Sequence, residues 1–132
     1  MPSEISRPIG FFDSGVGGIS ILNEVATQLP AENSIYLADS LNAPYGTKSK
    51  QQIIDLSVKN TALLLNKGCK LIVVACNTAT TNAISHLRKT FDVPFIGIEP
   101  AVRPAILQSK VNRIGVLATK GTLSSELFAN AN

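Results

Sequence analysis

The chain contains no tryptophan, and its other aromatic residues are few: five phenylalanines and two tyrosines in 132 residues. They are not interleaved with arginine or lysine, so the stacking platform of a single-strand nucleic-acid binder is missing. A basic run is missing too. Twelve Lys and Arg against nine Asp and Glu leave a net charge of +3 scattered along the chain, and no nucleic-acid partner is expected. No segment approaches the roughly 18 consecutive apolar residues of a membrane span, which excludes a membrane-spanning class. The first seven residues, Met1-Pro2-Ser3-Glu4-Ile5-Ser6-Arg7, lack the apolar core of an export signal, so a cytoplasmic location is expected. There are two cysteines, Cys69 and Cys76, and one histidine, His86. The stiff apolar segment between the cysteines holds them apart, so both are read as free thiols. The spacing of the three is not that of zinc ligands, and no metal is expected.

What is present is apolar. Hydrophobic residues make up 45% and charged residues 16%, with a mean hydropathy of +0.21, enough to build one core in a chain of common domain size. Apolar runs of about six residues alternate with stretches of helical spacing, the pattern of βαβ units. The fold class expected is therefore α/β: a parallel sheet between helical layers, α/β/α. Strands are predicted at 8–12, 34–38, 70–75, 94–98 and 113–118, rich in Ile, Val, Leu and Phe as doubly covered strands are. A first helix is predicted from Gly18 to Leu29, with Ile19, Leu22, Val25, Ala26 and Leu29 on one face and Pro30 as its stop. A second opens at Ser49 with Gln52 completing a capping box, buries Ile54, Val58, Ala62 and Leu65, and ends at Gly68. A third begins directly after Cys76, with Ala79, Ala83, Ile84 and Leu87 inward. A short helix over 101–108 and another from Gly121 complete the pattern. The last apolar stripe has no following strand to feed, so the chain is expected to be the leading part of a longer protein.

In a parallel sheet, ligands bind beyond the carboxyl ends of the strands, where helix N-termini also point. Those ends carry Asp13-Ser14-Gly15-Val16-Gly17-Gly18, Asp39-Ser40, Cys76-Asn77-Thr78-Ala79-Thr80, Glu99-Pro100 and Thr119-Lys120-Gly121-Thr122. The first loop lacks the third glycine of a dinucleotide fingerprint, with Ser20 in its place, and no Walker pattern follows. Its aspartate would repel a phosphate and suits an ammonium group, so a zwitterionic substrate fits better; the same glycines also serve a plain tight turn capped by Asp13. Cys76 falls at a strand end and a helix start, where the dipole favours a thiolate that can act as nucleophile or base. Asn77, Thr78, Thr80 and Thr81 crowd that first turn although threonine is a poor helix former, so their hydroxyls and the free N–H groups are read as binding a carboxylate. Cys69 lies before its strand, at the opposite edge of the sheet, and is read as structural. His86 is far along the third helix and receives no catalytic role. Tyr45, in the turn-rich loop 42–47, reads equally as a rim aromatic or a ligand contact.

Together, Phe12-Asp13-Ser14-Gly15-Val16-Gly17-Gly18, Ala38-Asp39-Ser40 with Pro44-Tyr45-Gly46, Val74-Ala75-Cys76-Asn77-Thr78-Ala79-Thr80 and Gly97-Ile98-Glu99-Pro100-Ala101 resemble the glutamate racemases of the Asp/Glu racemase superfamily, in that family's order. The resemblance implies two similar α/β domains facing across a cleft, with 8–99 an incomplete first domain and 100–132 the start of the second. It implies an enzyme with no cofactor that interconverts L- and D-glutamate for peptidoglycan synthesis. Cys76 would then be one of two cysteines acting on opposite faces of the α-carbon, assisted by Asp13. Asp13, Ser14, Tyr45, Gly46, Asn77 and Thr78 would bind glutamate, with Thr119 and Thr122 as further carboxylate contacts. The family's second cysteine and its neighbouring histidine belong to a later segment absent here, and Cys69 does not replace them, so the 132 residues alone are expected not to racemise at normal rates. An exposed sheet edge or cleft face leads to an expectation of association, into a homodimer. Alternatives of the same superfamily are an aspartate or hydantoin racemase or a single-cysteine decarboxylase; from another class, a non-catalytic amino-acid-binding module.

Overall fold

The computed structural model describes residues 3–130. Its centre is the run Ile9–Asp13, β1, in which all five residues are buried, as a strand flanked by neighbours on both edges requires. β2 (Ser34–Ala38) pairs with it on one side and β3 (Leu71–Val74) on the other; β4 (Phe95–Gly97) follows β3. All three pairings are parallel, in the order β2-β1-β3-β4. The fold class read from the sequence is thus the fold observed.

Among the described residues, six α-helices connect and follow these strands: α1 (Ile19–Gln28), α2 (Lys50–Asn66), α3 (Asn77–Thr90), α4 (Val102–Gln108), α5 (Lys120–Leu123) and α6 (Glu126–Asn130). α2 starts on the expected capping box: Ser49 Oγ accepts from Gln52 N, and Ser49 N donates to Gln52 Oε1. α2 and α3 cover one face of the sheet, where Phe12, Ile53, Leu64, Ile72, Val74 and Leu87 form the main core. α1 alone covers the other, against Ile9, Phe11, Val73 and Ala75. Among the described residues, no helix is long and apolar enough to cross a membrane.

Three local expectations change. On α1, Ile19 and Leu29 are 39% and 50% exposed, and the packed residues are Ile21, Leu22 and Val25, because a single helix crossing a sheet touches it along a narrow line. On α2 the buried line is Ile53, Ser57, Asn60, Thr61 and Leu64; Ile54, Val58 and Leu65 flank it, half-buried. Small hydroxyl residues let α2 sit close, at the cost of Ser57 Oγ and Thr61 Oγ1 having no hydrogen-bond partner. The fifth strand at 113–118 does not form. An apolar run becomes a strand only when a neighbouring edge takes its N–H and C=O groups, and this segment instead crosses the carboxyl ends of the sheet with Leu117 fully exposed.

Candidate active site

β1 delivers Asp13 to the carboxyl edge of the sheet, where its carboxylate folds back on the next turn. Oδ1 accepts from Ser14 N at 2.7 Å and Oδ2 from Gly18 N at 2.8 Å, which fixes the entry to α1. The capping role allowed by the sequence is therefore real, yet it leaves Asp13 in the wall of a cleft. The Ser14 hydroxyl stands 3.4 Å from Asp13 Oδ1 and 3.7 Å from Cys76 Sγ, so it bridges carboxylate and thiol.

β3 delivers Cys76 to the N-cap position of α3, where Sγ accepts from Ala79 N at 3.4 Å. Cys76 as a residue is 7% exposed. Burial pushes its pKa above the ordinary value; the Ala79 N–H and the Ser14 hydroxyl pull it down, and the charge of Asp13 pushes it up again. The helix start acts in the direction expected from its dipole but is outweighed by burial, which favours the thiol over the thiolate.

Beside it, Thr78, Thr119 and Thr122 form a triangle of hydroxyls: Thr78 Oγ1 is 2.7 Å from Thr119 Oγ1 and 3.2 Å from Thr122 Oγ1, and Thr119 Oγ1 donates to Thr122 Oγ1 at 3.1 Å. Two anchors hold α5 there. Asn82 Nδ2 donates to Gly121 O and to Thr78 O, and Gly121 N donates to Gly46 O at 3.0 Å. Asn77 opens α3 on the cleft side. The cleft measures about 440 Å³ and brings together Asp13, Ser14, Cys76, Asn77, Thr78, Thr119 and Thr122, with Ile21, Ile98, Val116 and Leu117 as its apolar side.

Tyr45 and Gly46 are not in that lining. Tyr45 is buried behind it, its hydroxyl donating to Asp39 Oδ2 at 2.5 Å and accepting from Asn60 Nδ2 at 2.8 Å. Burial first, then the Asp39 carboxylate, push its pKa far above the usual value. For Asp39 burial opposes ionisation, but the bonds from Tyr45, Asn42 and Asn60 outweigh it and hold the carboxyl below its usual range. Gly46 lies under Thr119: a Cβ there would stand 2.6 Å from Thr119 Cβ. Both residues stand outside the cleft lining in this structure. Tyr36, within the strand predicted at 34–38, reaches the same edge of the sheet and donates to Gly15 O at 3.0 Å. The signal was a polar-tipped aromatic in a strand facing the glycine-rich loop.

Cys69 is buried at the other end of the sheet, its thiol raised by burial against the opposing charge of Arg7, and His86 is exposed on α3. A larger groove of about 740 Å³ lies at that end. Its cations are already engaged, Arg7 with the carbonyls of Gly68 and Cys69, Lys70 with Glu32 and Ile5 O. The strand-end residues singled out above gather instead in the smaller cleft.

Known proteins share this fold and much of this sequence. The chain is 52% identical over 124 residues to a glutamate racemase of Clostridium botulinum, covering 94% of this chain and 48% of that one. It is 49% identical over 129 residues to a glutamate racemase of Ralstonia pickettii, covering 98% and 46%. The crystal structure of glutamate racemase from Aquifex pyrophilus matches with a TM-score of 0.86 at 40% identity, over 94% of this chain and 50% of that one. The Escherichia coli enzyme, solved with L-glutamate and the activator UDP-MurNAc-Ala, matches at 0.85 and 38%, over 94% and 47%. The chain spans about half the length of the relatives it matches. Residues 12–131 match the family model described as Asp/Glu/Hydantoin racemase, and the chain belongs to that family.

Proposed function

We propose that this chain supplies the Cys76 side of a glutamate racemase that works without a cofactor. The observation that carries the reading is the line Asp13–Ser14–Cys76 along one wall of a cleft whose adjoining wall is a triangle of threonine hydroxyls. A zwitterionic amino acid finds there a carboxylate for its ammonium group, and hydroxyls with the unpaired N–H groups of the α3 start for its α-carboxylate. Its Cα–H then faces the thiol. In its thiolate form Cys76 takes the α-proton: the C–H bond breaks, an S–H bond forms, and the electron pair moves into the carboxylate as an enediolate. A second thiol on the opposite face, outside the 132 residues, returns a proton to give the other enantiomer. Such a proton is very weakly acidic, so charge developing on the carboxylate must be met by donors already in place. Residues 100–132 are proposed to begin the second domain, which carries that thiol. In a bacterial cytoplasm the product, D-glutamate, would supply peptidoglycan synthesis.

Three measurements on the purified chain test this. Iodoacetamide labelling of Cys76, read by peptide mass, is expected to slow when L- or D-glutamate is present. Calorimetry is expected to detect binding of both enantiomers. Circular dichroism of L-glutamate incubated with the chain is expected to stay constant, because only one face of the α-carbon is served. Absence of both protection and binding overturns the substrate; stronger protection by aspartate moves the reading to that substrate. A substantial loss of the circular dichroism signal overturns the half-site.

A further inference from the structure

We propose that Tyr36 is a positioning residue for Cys76: its hydroxyl ties down the carbonyl of Gly15 and so holds the Ser14 hydroxyl against the thiol. Tyr36 stands on β2 opposite Phe11 of β1, on the face of the sheet that α1 covers, directly beneath the turn that links β1 to α1. Its hydroxyl reaches Gly15 O at 3.0 Å. Room for it comes from Gly18, where a Cβ would stand 2.9 Å from the phenol oxygen and 2.8 Å from Ala75 Cβ. Gly18 N is in turn held by Asp13 Oδ2. The turn is therefore pinned at both ends, at Gly15 from below by the phenol and at Gly18 from within by the carboxylate. Ser14 sits between Asp13 and Gly15, and its hydroxyl is the link to Cys76. Freeing Gly15 loosens that link while leaving Cys76 itself, fixed on α3, in place.

The groups facing Cys76 are Asp13 from β1, Tyr36 from β2 and Tyr45 from the loop before α2. Asp13 is the anion among them; Tyr36, pushed up to about 12 first by burial and then by the Asp13 charge, is a neutral donor throughout the working range. Ser14 favours the thiolate, so losing its hydroxyl contact moves the thiol titration upward.

The test is the pH profile of Cys76 alkylation, followed by peptide mass, in the 132-residue chain, with Tyr36→Phe, Ser14→Ala and the double variant. Tyr36→Phe is expected to alkylate about two- to fivefold more slowly at pH 7, the size of one modest hydrogen bond, with the profile displaced to higher pH. In the Ser14→Ala background the same substitution is expected to change nothing. An unchanged profile in Tyr36→Phe, even with a lowered melting temperature, makes Tyr36 merely structural and overturns the proposal. An equal slowing with and without Ser14 overturns it as well. Should Tyr36→Phe not melt cooperatively, 3-fluorotyrosine incorporation keeps ring and hydroxyl while changing donor strength; it must shift the profile in a Ser14-dependent way, and no shift overturns the proposal. The inference takes its functional meaning from the proposed role of Cys76, but alkylation needs no substrate. A Tyr36 effect without glutamate binding sinks only the proposed function, and glutamate binding without a Tyr36 effect sinks only this inference.

Discussion

Replacing Gly46 with alanine tests whether the hydroxyl triangle is seated on the loop before α2. Gly46 is not in the left-handed region, so its backbone accepts a side chain, and the effect is steric. The new Cβ would lie 2.6 Å from Thr119 Cβ and 2.8 Å from its Cγ2. Carbon pairs settle at about 3.5–4.0 Å, so Thr119 must retreat by about 1 Å. That is enough to break its 2.7 Å bond to Thr78. Thr119 is exposed and follows an exposed segment, so the turn has room to swing. The cost therefore falls in the lower part of the overpacking range, about 1–2 kcal/mol including the lost hydroxyl pair, or about 3–8 °C in melting temperature. Thermal and urea melts read the stability, and calorimetry with glutamate reads the triangle, which should bind more weakly. Gly115→Ala is the control: nothing lies within 4 Å of its Cβ, and a change within about 0.5 kcal/mol is expected. Adding Thr119→Gly to Gly46→Ala should recover the steric part, a favourable coupling in a double-mutant cycle. If Gly46→Ala melts and binds as the parent chain does, α5 is not seated on Gly46 and the wall assigned to Thr119 falls with it.

Asp39, held below its usual range, stabilises the fold fully above the pKa of an unfolded aspartate, about 3.9, and this contribution is lost as pH falls through the folded value. Asp39→Asn should flatten the acid limb of a stability–pH curve, and an unchanged limb would show that the Tyr45 and Asn60 bonds do not favour the ionised form. Thr61→Val removes a buried hydroxyl without a partner while keeping its shape, so stability should hold or rise by up to about 1 kcal/mol; a clear loss would mean the hydroxyl is bonded in solution. Under the proposed function, a substrate ammonium beside Asp13 offsets the charge that helps keep Cys76 protonated. Glutamate binding should therefore release protons, measured by calorimetry in buffers of different ionisation enthalpy, and proton uptake would refute the pairing of ammonium with Asp13.

What could be read from the sequence was local or followed from one general rule. The apolar runs gave β1 to β4, and the Ser49 and Gln52 pair marked the start of α2, because both signals lie within a few residues. Asp13, Ser14, Cys76, Asn77 and Thr78 were found because a parallel sheet puts its strand ends on one side. Two things were out of reach. The segment 113–118 satisfies every local requirement of a strand, but pairing depends on an edge elsewhere in the chain. Asn60 and Tyr45 could not be recognised as a buried pair, since a polar residue on a helix reads as surface until its partner, fifteen residues away, is placed beside it.

The two faces of the sheet differ in a way that bears on the chemistry. Cys76 and Thr78 lie at the start of α3, which packs against the sheet and beside α2 in the main core. Asp13 and Ser14 lead into α1, the single helix on the thinly covered face, which has no fully buried residue of its own. Cys76 is thus carried by the more buried part of the molecule, and its hydrogen-bonding partner Ser14 by a part held through fewer buried contacts. A proton-transfer group gains from a fixed position, because its distance to the reacting carbon sets the barrier. A partner that must donate to the thiolate and release the thiol gains from a small freedom of movement. That freedom is useful only if bounded, and besides the backbone bonds that join the turn to β2 and to the first turn of α1, three bonds bound Asp13–Gly18: the two to the Asp13 carboxylate and the one from the Tyr36 hydroxyl. Of these three, the Tyr36 bond is the one that can be removed without changing a group in the cleft wall, which is why the pH profile of Cys76 in Tyr36→Phe separates positioning from chemistry.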